Sequence, residues 1–400
     1  MTIDQATSLV LGRDSSFMKE DMDTMTPNLL ETIRGSRILV IGAAGSIGGS
    51  FVTELIKFLP KAVHLVDISE NNLAEVVRSL RSAGSQIPDD FQTYSIDYSA
   101  PEMFALLGAQ KYDYVLNFSA LKHVRSERDP YTLMRLLQVN VVGNDRLLDA
   151  LEGQTGLKRV FSVSSDKSVR SANLMGASKA FMERVFLARA DRISFTSARF
   201  ANVAFSDGSL LCGFRHRLEK AQPLSAPSDI RRYFISHKEA GQLCLLSCFS
   251  GQNREIFFPK FQPESDMVSF DEIARKFLKC QGYEPLECES DAEAVRKAAE
   301  RKDSDQWWPC HFSKSDTSGE KAYEEFTDPG ESVDNERFKH VGIVTKPLYH
   351  GREVLDRSID DLKSLRAKGQ WTKEDLVRIV KNAVPEIDHV ESDKNLDQKM

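Results

Sequence analysis

A short apolar run, Arg37-Ile38-Leu39-Val40-Ile41, breaks off in Gly42-Ala43-Ala44-Gly45-Ser46-Ile47-Gly48, and an amphipathic stretch bearing Phe51, Leu55, Ile56 and Leu59 follows at once. Strand, glycine turn and helix in direct succession leave few folds open to the chain. The first glycine serves the tight turn, the second lets a pyrophosphate approach, and the third lets helix pack on strand. The unpaired N–H groups and positive dipole at the helix start favour phosphate. Gly42, Ala44, Gly45, Ser46, Ile47 and Gly48 are therefore a candidate dinucleotide cradle.

The alternation continues downstream. Strands are expected at Ala62–Val66, Gln92–Ile96, Tyr114–Phe118, Arg159–Ser164 and Ile193–Arg199, with helices over 71–81, Tyr131–Leu151 and Asn173–Ala188. Strands separated by helices of this length predict an α/β fold: a Rossmann-type doubly wound parallel sheet with a smaller C-terminal substrate lobe. Residues 1–34 read as an N-terminal arm and 35–205 as the NAD-binding domain, with a returning strand near 231–260. Residues 206–370 read mainly as the lobe, and 371–400 as a terminal helix and tail. Thr372 with Asp375 forms a capping box at the start of that helix.

The 400 residues carry 53 basic and 59 acidic side chains, so no cationic excess exists to neutralise a nucleic-acid backbone. No stretch approaches the roughly 18–20 apolar residues of a membrane span. The N-terminus lacks the pattern of a secretory signal. The six cysteines include no CxxC pair, and no histidine–carboxylate cluster suggests a metal. A reduced, cytoplasmic location is the expectation.

Asp67 closes the second strand, where a carboxylate would bond the adenosine ribose hydroxyls and repel a 2′-phosphate, favouring NAD over NADP. Asp97 closes the third strand and could accept from the adenine amino group. Tyr98 beside it, Ser119 and Ala120 after the fourth strand, and Asn140 on the long helix are further candidate cofactor contacts. Ser164-Ser165-Asp166-Lys167 closes the fifth strand, and Lys179 lies on the next helix. A hydroxyl, a carboxylate and two amines thus converge on the ligand edge of the sheet. Read alone, they fit a site and an ordinary loop salt bridge equally well.

The glycine spacing, Ser165 and Lys179 resemble the extended short-chain dehydrogenase/reductase family. Ser164-Ser165-Asp166-Lys167-Ser168, Asn173-Leu174-Met175-Gly176-Ala177-Ser178-Lys179, Ala120-Leu121-Lys122-His123-Val124, Arg199-Phe200-Ala201-Asn202-Val203 and Arg232-Tyr233-Phe234 resemble, more closely, the UDP-N-acetylglucosamine 4,6-dehydratases of polysaccharide and nonulosonate synthesis. The family's usual catalytic tyrosine falls on Met175, which cannot usefully exchange a proton. A subgroup with methionine there retains the C5 configuration. The resemblance implies hydride transfer from sugar C4 to NAD, loss of water across C5/C6 and hydride return to C6. Lys167 is the expected C5 base, neutral because a second ammonium and NAD+ lie near. Asp166 is the expected acid at the 6-hydroxyl, its pKa raised by shielding from water. Ser165 would bond O4, and Lys179 the nicotinamide ribose. Lys122, His123, Asn202 and Arg232 would touch UDP-N-acetylglucosamine, the last two at its diphosphate. Relatives self-associate, so a homo-oligomer is expected. A UDP-sugar 4-epimerase, or an inert NAD-binding scaffold or sensor, is the alternative.

Overall fold

The computed structural model describes residues 3–315, 323–347, 349 and 351–388. Six strands arise in turn from the alternating half of the chain: β1 (Arg37–Ile41), β2 (Ala62–Asp67), β3 (Asp90–Ser95), β4 (Tyr114–Asn117), β5 (Arg159–Ser165) and β6 (Phe195–Phe200). Nine more follow: β7 (Asn202–Val203), β8 (Leu224–Pro227), β9 (Arg231–Ile235), β10 (Glu255–Pro259), β11 (Met267–Ser269), β12 (Glu284–Glu287), β13 (Trp307–Ser313), β14 (Ser332–Asp334) and β15 (Val341–Lys346).

The main sheet runs β14-β15-β10-β6-β5-β4-β1-β2-β3. From β3 to β10 every pairing is parallel, while β15 and β14 add antiparallel at the far edge. The near-continuous apolar character of β1 and β4 follows from burial on both faces. From β1 the chain winds outward to β3, then returns to β4 on the other side. That reversal opens a crevice beyond the carboxyl ends of β1 and β4. The protein is thus a Rossmann-like α/β domain with a smaller C-terminal lobe.

Two smaller sheets, β11-β9-β7 and β12-β13-β8, build the lobe side. Phe205, Leu211, Phe214, Leu224, Phe277 and Trp308 belong to its separate core. Strands β10, β14 and β15 return to the main sheet, and helix Arg352–Lys368 packs Leu355, Ile359 and Leu362 into the core of the Rossmann part. The described residues before Arg34 form two helices. Ile3–Leu11 contacts the lobe helix Phe270–Cys280, and Lys19–Ile33 buries Leu29 and Ile33 against the main body. The terminal helix Lys373–Ala383 starts in a capping box of Thr372 and Asp375.

The helix expected over Tyr131–Leu151 is not uniform. It starts at Pro130, where Asp129 accepts from the amides of Tyr131 and Thr132, and one π turn interrupts it at Gln138–Val142. The wider turn re-aims Asn140 toward the loop after β4.

Candidate active site

A cleft of about 360 Å³ lies at the carboxyl ends of β1, β4, β5 and β6. The glycine turn forms one wall. Gly42 has φ +72°, and a Cβ there would come within 2.6 Å of the Ser119 amide nitrogen. A Cβ at Gly48 would fall 2.1 Å from the Gly42 carbonyl oxygen. Both glycines are therefore required by the protein's own packing. Gly45 differs: its Cβ would meet only that carbonyl oxygen, at 3.6 Å, yet Gly45 lines the cleft and caps helix Ser46–Leu55 without a side-chain hydrogen bond. Room on the protein side, with a helix start aimed at the cleft, fits an approaching pyrophosphate.

Asp67 fixes this turn from β2. Its carboxylate accepts from the amides of Ala44 (3.0 Å) and Ser69 (2.9 Å). Asp97 accepts from the amide and hydroxyl of Ser99, both at 2.8 Å, and faces Arg135 at 3.4 Å. Burial works against its charge, but these partners outweigh it and hold the carboxyl below its ordinary range. Ser119 donates its amide to Asn117 and abuts Gly42, while Ala120 lines the cleft.

Three of the expected contact residues do not line the cleft. The Tyr98 side chain is buried, and its hydroxyl donates to the Val139 carbonyl, so the ring serves the core. Asn140 accepts from the Leu121 amide and donates to the Leu121 carbonyl and Ser178 hydroxyl, all at 2.9 Å. Its side chain is spent clamping the loop that carries Ala120 and Lys122. Arg232 is buried on β9, donates to the Arg231 carbonyl at 2.9 Å and lies 3.9 Å from Glu324; it does not line the cleft.

The opposite wall is the turn after β5. Asp166 is buried, and its Oδ1 accepts from the Ser165 hydroxyl (2.7 Å), the Lys167 amide (2.8 Å) and the Lys167 ammonium (3.2 Å). Lysine and aspartate therefore form one hydrogen-bonded ion pair on this wall. Helix Leu174–Arg189, capped by Asn173 on the Gly176 amide, seats Met175 and Lys179 alongside. It approaches so closely that a Cβ at Gly176 would lie 2.2 Å from the Lys167 carbonyl oxygen. The Lys179 ammonium donates to the Val163 carbonyl at 2.9 Å. Burial pushes it down to about 8, with Glu183 pulling the other way. Met175 is buried with its amide donating to Glu127 at 2.7 Å.

Lys122, His123 and Asn202 line the third side. Asn202 donates to the Tyr233 carbonyl at 3.3 Å, and the His123 ring packs over Gly208. Sequence reasoning missed Asp207, which also lines the cleft. Its carboxylate accepts from the Ser46 hydroxyl at 2.8 Å, and its amide donates back at 2.9 Å. Only its place soon after Asn202 could have signalled it. No group of three metal-binding side chains occurs among the described residues, nor a helix long and apolar enough to cross a membrane.

The family described as "Polysaccharide biosynthesis protein" matches residues 38–346. The chain belongs to this family. The probable polysaccharide biosynthesis protein EpsC of Bacillus subtilis is 27% identical over 366 residues, which is 88% of this chain and 56% of that protein. The chain thus spans little more than half the length of that relative. A UDP-N-acetylglucosamine 4,6-dehydratase (inverting) of Campylobacter jejuni is 25% identical over 56% of this chain and 67% of that enzyme. Among solved structures, Pen from Bacillus thuringiensis superposes with a TM-score of 0.61 at 21% identity, covering 80% of this chain and 92% of that one. The dTDP-glucose 4,6-dehydratase DesIV of Streptomyces venezuelae, solved with NAD bound, gives 0.56 at 17% identity over 85% and 99%. Both likenesses speak to the fold.

Proposed function

We propose that this protein is an NAD-dependent nucleotide-sugar 4,6-dehydratase acting on UDP-N-acetylglucosamine with retention at C5. The observation that carries the reading is the Asp166–Lys167 pair, joined at 3.2 Å on the cleft wall beside Met175 and Lys179. An epimerase working only at C4 has no use for a second acid–base couple. The named activity of the Campylobacter relative, and the NAD held by DesIV on the same fold, support the assignment.

When bound, NAD would supply the acceptor and donor of hydride. The amides of Gly42–Gly48 would hold its pyrophosphate, Asp67 and Asp97 would address its adenosine half, and Lys179 its nicotinamide ribose. Lys122 and Asn202 would meet the substrate. Elimination needs a base at C5 and an acid at the departing 6-hydroxyl. A neutral lysine beside a protonated aspartate has the same proton count as an ammonium beside a carboxylate. The pair therefore reaches its reactive form by passing one proton across 3.2 Å. As C4 is oxidised, a water beside Asp166 takes the O4 proton; Lys167 then takes the C5 proton, and Asp166 gives its proton to the 6-hydroxyl, which departs as water. The Lys167 ammonium returns a proton to C5 as C6 is reduced, and the proton held by the water restores Asp166. Ser165, which donates to Asp166, would accept a hydrogen bond from O4.

Incubation with UDP-N-acetylglucosamine in D2O, followed by proton NMR, tests the proposal. A dehydratase yields a 6-methyl signal with deuterium at C5, and a spectrum in H2O reports the C5 configuration. An unlabelled galacto product would mark an epimerase, and an unchanged substrate an inert scaffold. Asp166→Asn and Lys167→Ala should each lower turnover at least about a hundredfold, ~2.7 kcal/mol of barrier. Losses within about tenfold would overturn the roles given to this pair.

A further inference from the structure

Behind the catalytic turn, on the side away from the cleft, lies a buried chain of charges that the proposed chemistry does not use. Glu183 sits one helical turn beyond Lys179. Its carboxylate accepts from the Ser164 hydroxyl, the Ser168 hydroxyl (3.1 Å) and the Arg199 guanidinium (2.8 and 3.1 Å). Ser164 and Ser168 flank Ser165-Asp166-Lys167, and Ser168 also reaches the Ser165 carbonyl at 2.7 Å. Arg199, at the end of β6, turns its other edge to Glu331 in a two-pronged pair (2.7 and 2.8 Å) and to the Phe326 carbonyl at 2.9 Å. The Arg199, Glu183 and Glu331 side chains are each at most 6% exposed.

Glu331 comes from a segment far along the chain. That segment also grips the end of the turn: Asp328 accepts from Arg170 at 3.2 Å, and Arg170 has φ +42°, a left-handed conformation that costs a non-glycine residue energy. Asp328 in turn donates its amide to Glu331 at 2.9 Å. Two acids and one arginine leave one net negative charge in this chain of contacts. Apolar side chains of equal volume would fill such a space at no loss of stability. What a hydrogen-bonded ionic chain adds is a fixed position for the groups it touches.

We propose that Glu331, acting through Arg199 and Glu183, is a positioning residue that holds the Ser165-Asp166-Lys167 turn in register with the cleft. The inference rests on the acid–base roles given to that turn, but its first test does not. Glu331→Gln keeps the shape and removes the charge. Amide hydrogen exchange over residues 163–170 should then rise at least about fivefold, while the glycine turn over 42–48 stays within twofold and NADH affinity within threefold. Under the dehydratase reading, kcat should fall at least tenfold with KM within threefold, and Glu331→Asp should recover part of the loss. Glu336→Gln, an exposed carboxylate outside the chain of contacts, should change none of these. Unchanged exchange over 163–170, or an equal rise over 42–48, would overturn the proposal. Should Glu331→Gln fail to fold, Glu331→Asp is judged by the same exchange pattern. If the parent turns over no UDP-sugar, the functional reading fails, while the exchange data still decide the positioning.

Discussion

The two walls of the cleft are built by different means. On the nucleotide wall the backbone does the work: Gly42 and Gly48 are fixed by contacts of 2.6 and 2.1 Å that a Cβ would make, and Asp67 braces the turn through the Ala44 amide. On the catalytic wall side chains do the work, with Asp166 and Lys167 in front and Glu183, Arg199 and Glu331 behind. A backbone cradle tolerates no added atom but needs few partners. A side-chain constellation tolerates exchange at many positions but depends on groups far away in the sequence. The largest expected effect breaks the first wall. Gly48→Ala forces its Cβ into the Gly42 carbonyl, so strand and helix must part. We expect a loss of about 3 kcal/mol or more and no measurable NADH binding, checked by thermal melt and fluorescence titration. A variant with a parental melt would refute the packing argument.

The second wall carries a cost that can be measured. Lys179 titrates at about 8 in the folded protein, below its ordinary 10.5, because burial penalises the ammonium. Between these values the unfolded chain binds the proton and the folded one does not, so stability rises with pH across that window. Below pH 8 the full penalty is present, on the order of 3 kcal/mol. Lys179→Met should therefore be more stable than the parent at pH 7, by about 1–3 kcal/mol. The gap should close between pH 8 and 10.5, and turnover should be lost at every pH. Chemical denaturation of both proteins across that range measures the difference. A gap that stays constant with pH would remove burial of the ammonium as its cause.

This contrast also explains how much could be read in advance. The doubly wound sheet and the glycine turn were legible because local rules decide them: glycine spacing, apolar runs and the alternation of periods. Asp166, Lys167, Met175 and Lys179 line one cleft because they follow one strand and start one helix. The internal partners of Tyr98 and Asn140 were not legible, because a polar side chain near the ligand edge can turn inward, and a π turn that sequence periodicity does not show lies at Asn140, which bonds Leu121. Arg232 belongs to β9, whose pairing with β7 and β11 closes late in the chain, and its burial depends on that pairing. Glu331 and Asp207 were invisible for a related reason: each acts on a partner more than a hundred residues away.

Gly45 separates the two kinds of wall at single-residue scale. Its added Cβ would meet protein only at 3.6 Å, so Gly45→Ala should melt within about 1 °C of the parent. A ligand pyrophosphate would meet the new methyl group directly, and NADH affinity should fall about tenfold, ~1.4 kcal/mol. An unchanged affinity would mean that the second glycine serves something other than the dinucleotide.

The smallest effect is expected where the walls touch. Asp207 holds its carboxylate against Ser46, the first residue of the helix whose start is offered to phosphate. A helix N-terminus favours an anion, so this carboxylate and a pyrophosphate compete for one positive end and repel each other. Asp207→Asn keeps the amide bond to Ser46 and removes the charge. NADH should then bind about threefold more tightly at low salt, ~0.7 kcal/mol. The gain should shrink as salt rises, because screening acts over roughly 10 Å at 0.1 M. A gain that persists undiminished in high salt would point instead to a steric or hydrogen-bonding effect. A loss of affinity would mean that Asp207 itself receives part of the cofactor, making the contact between the walls a binding feature.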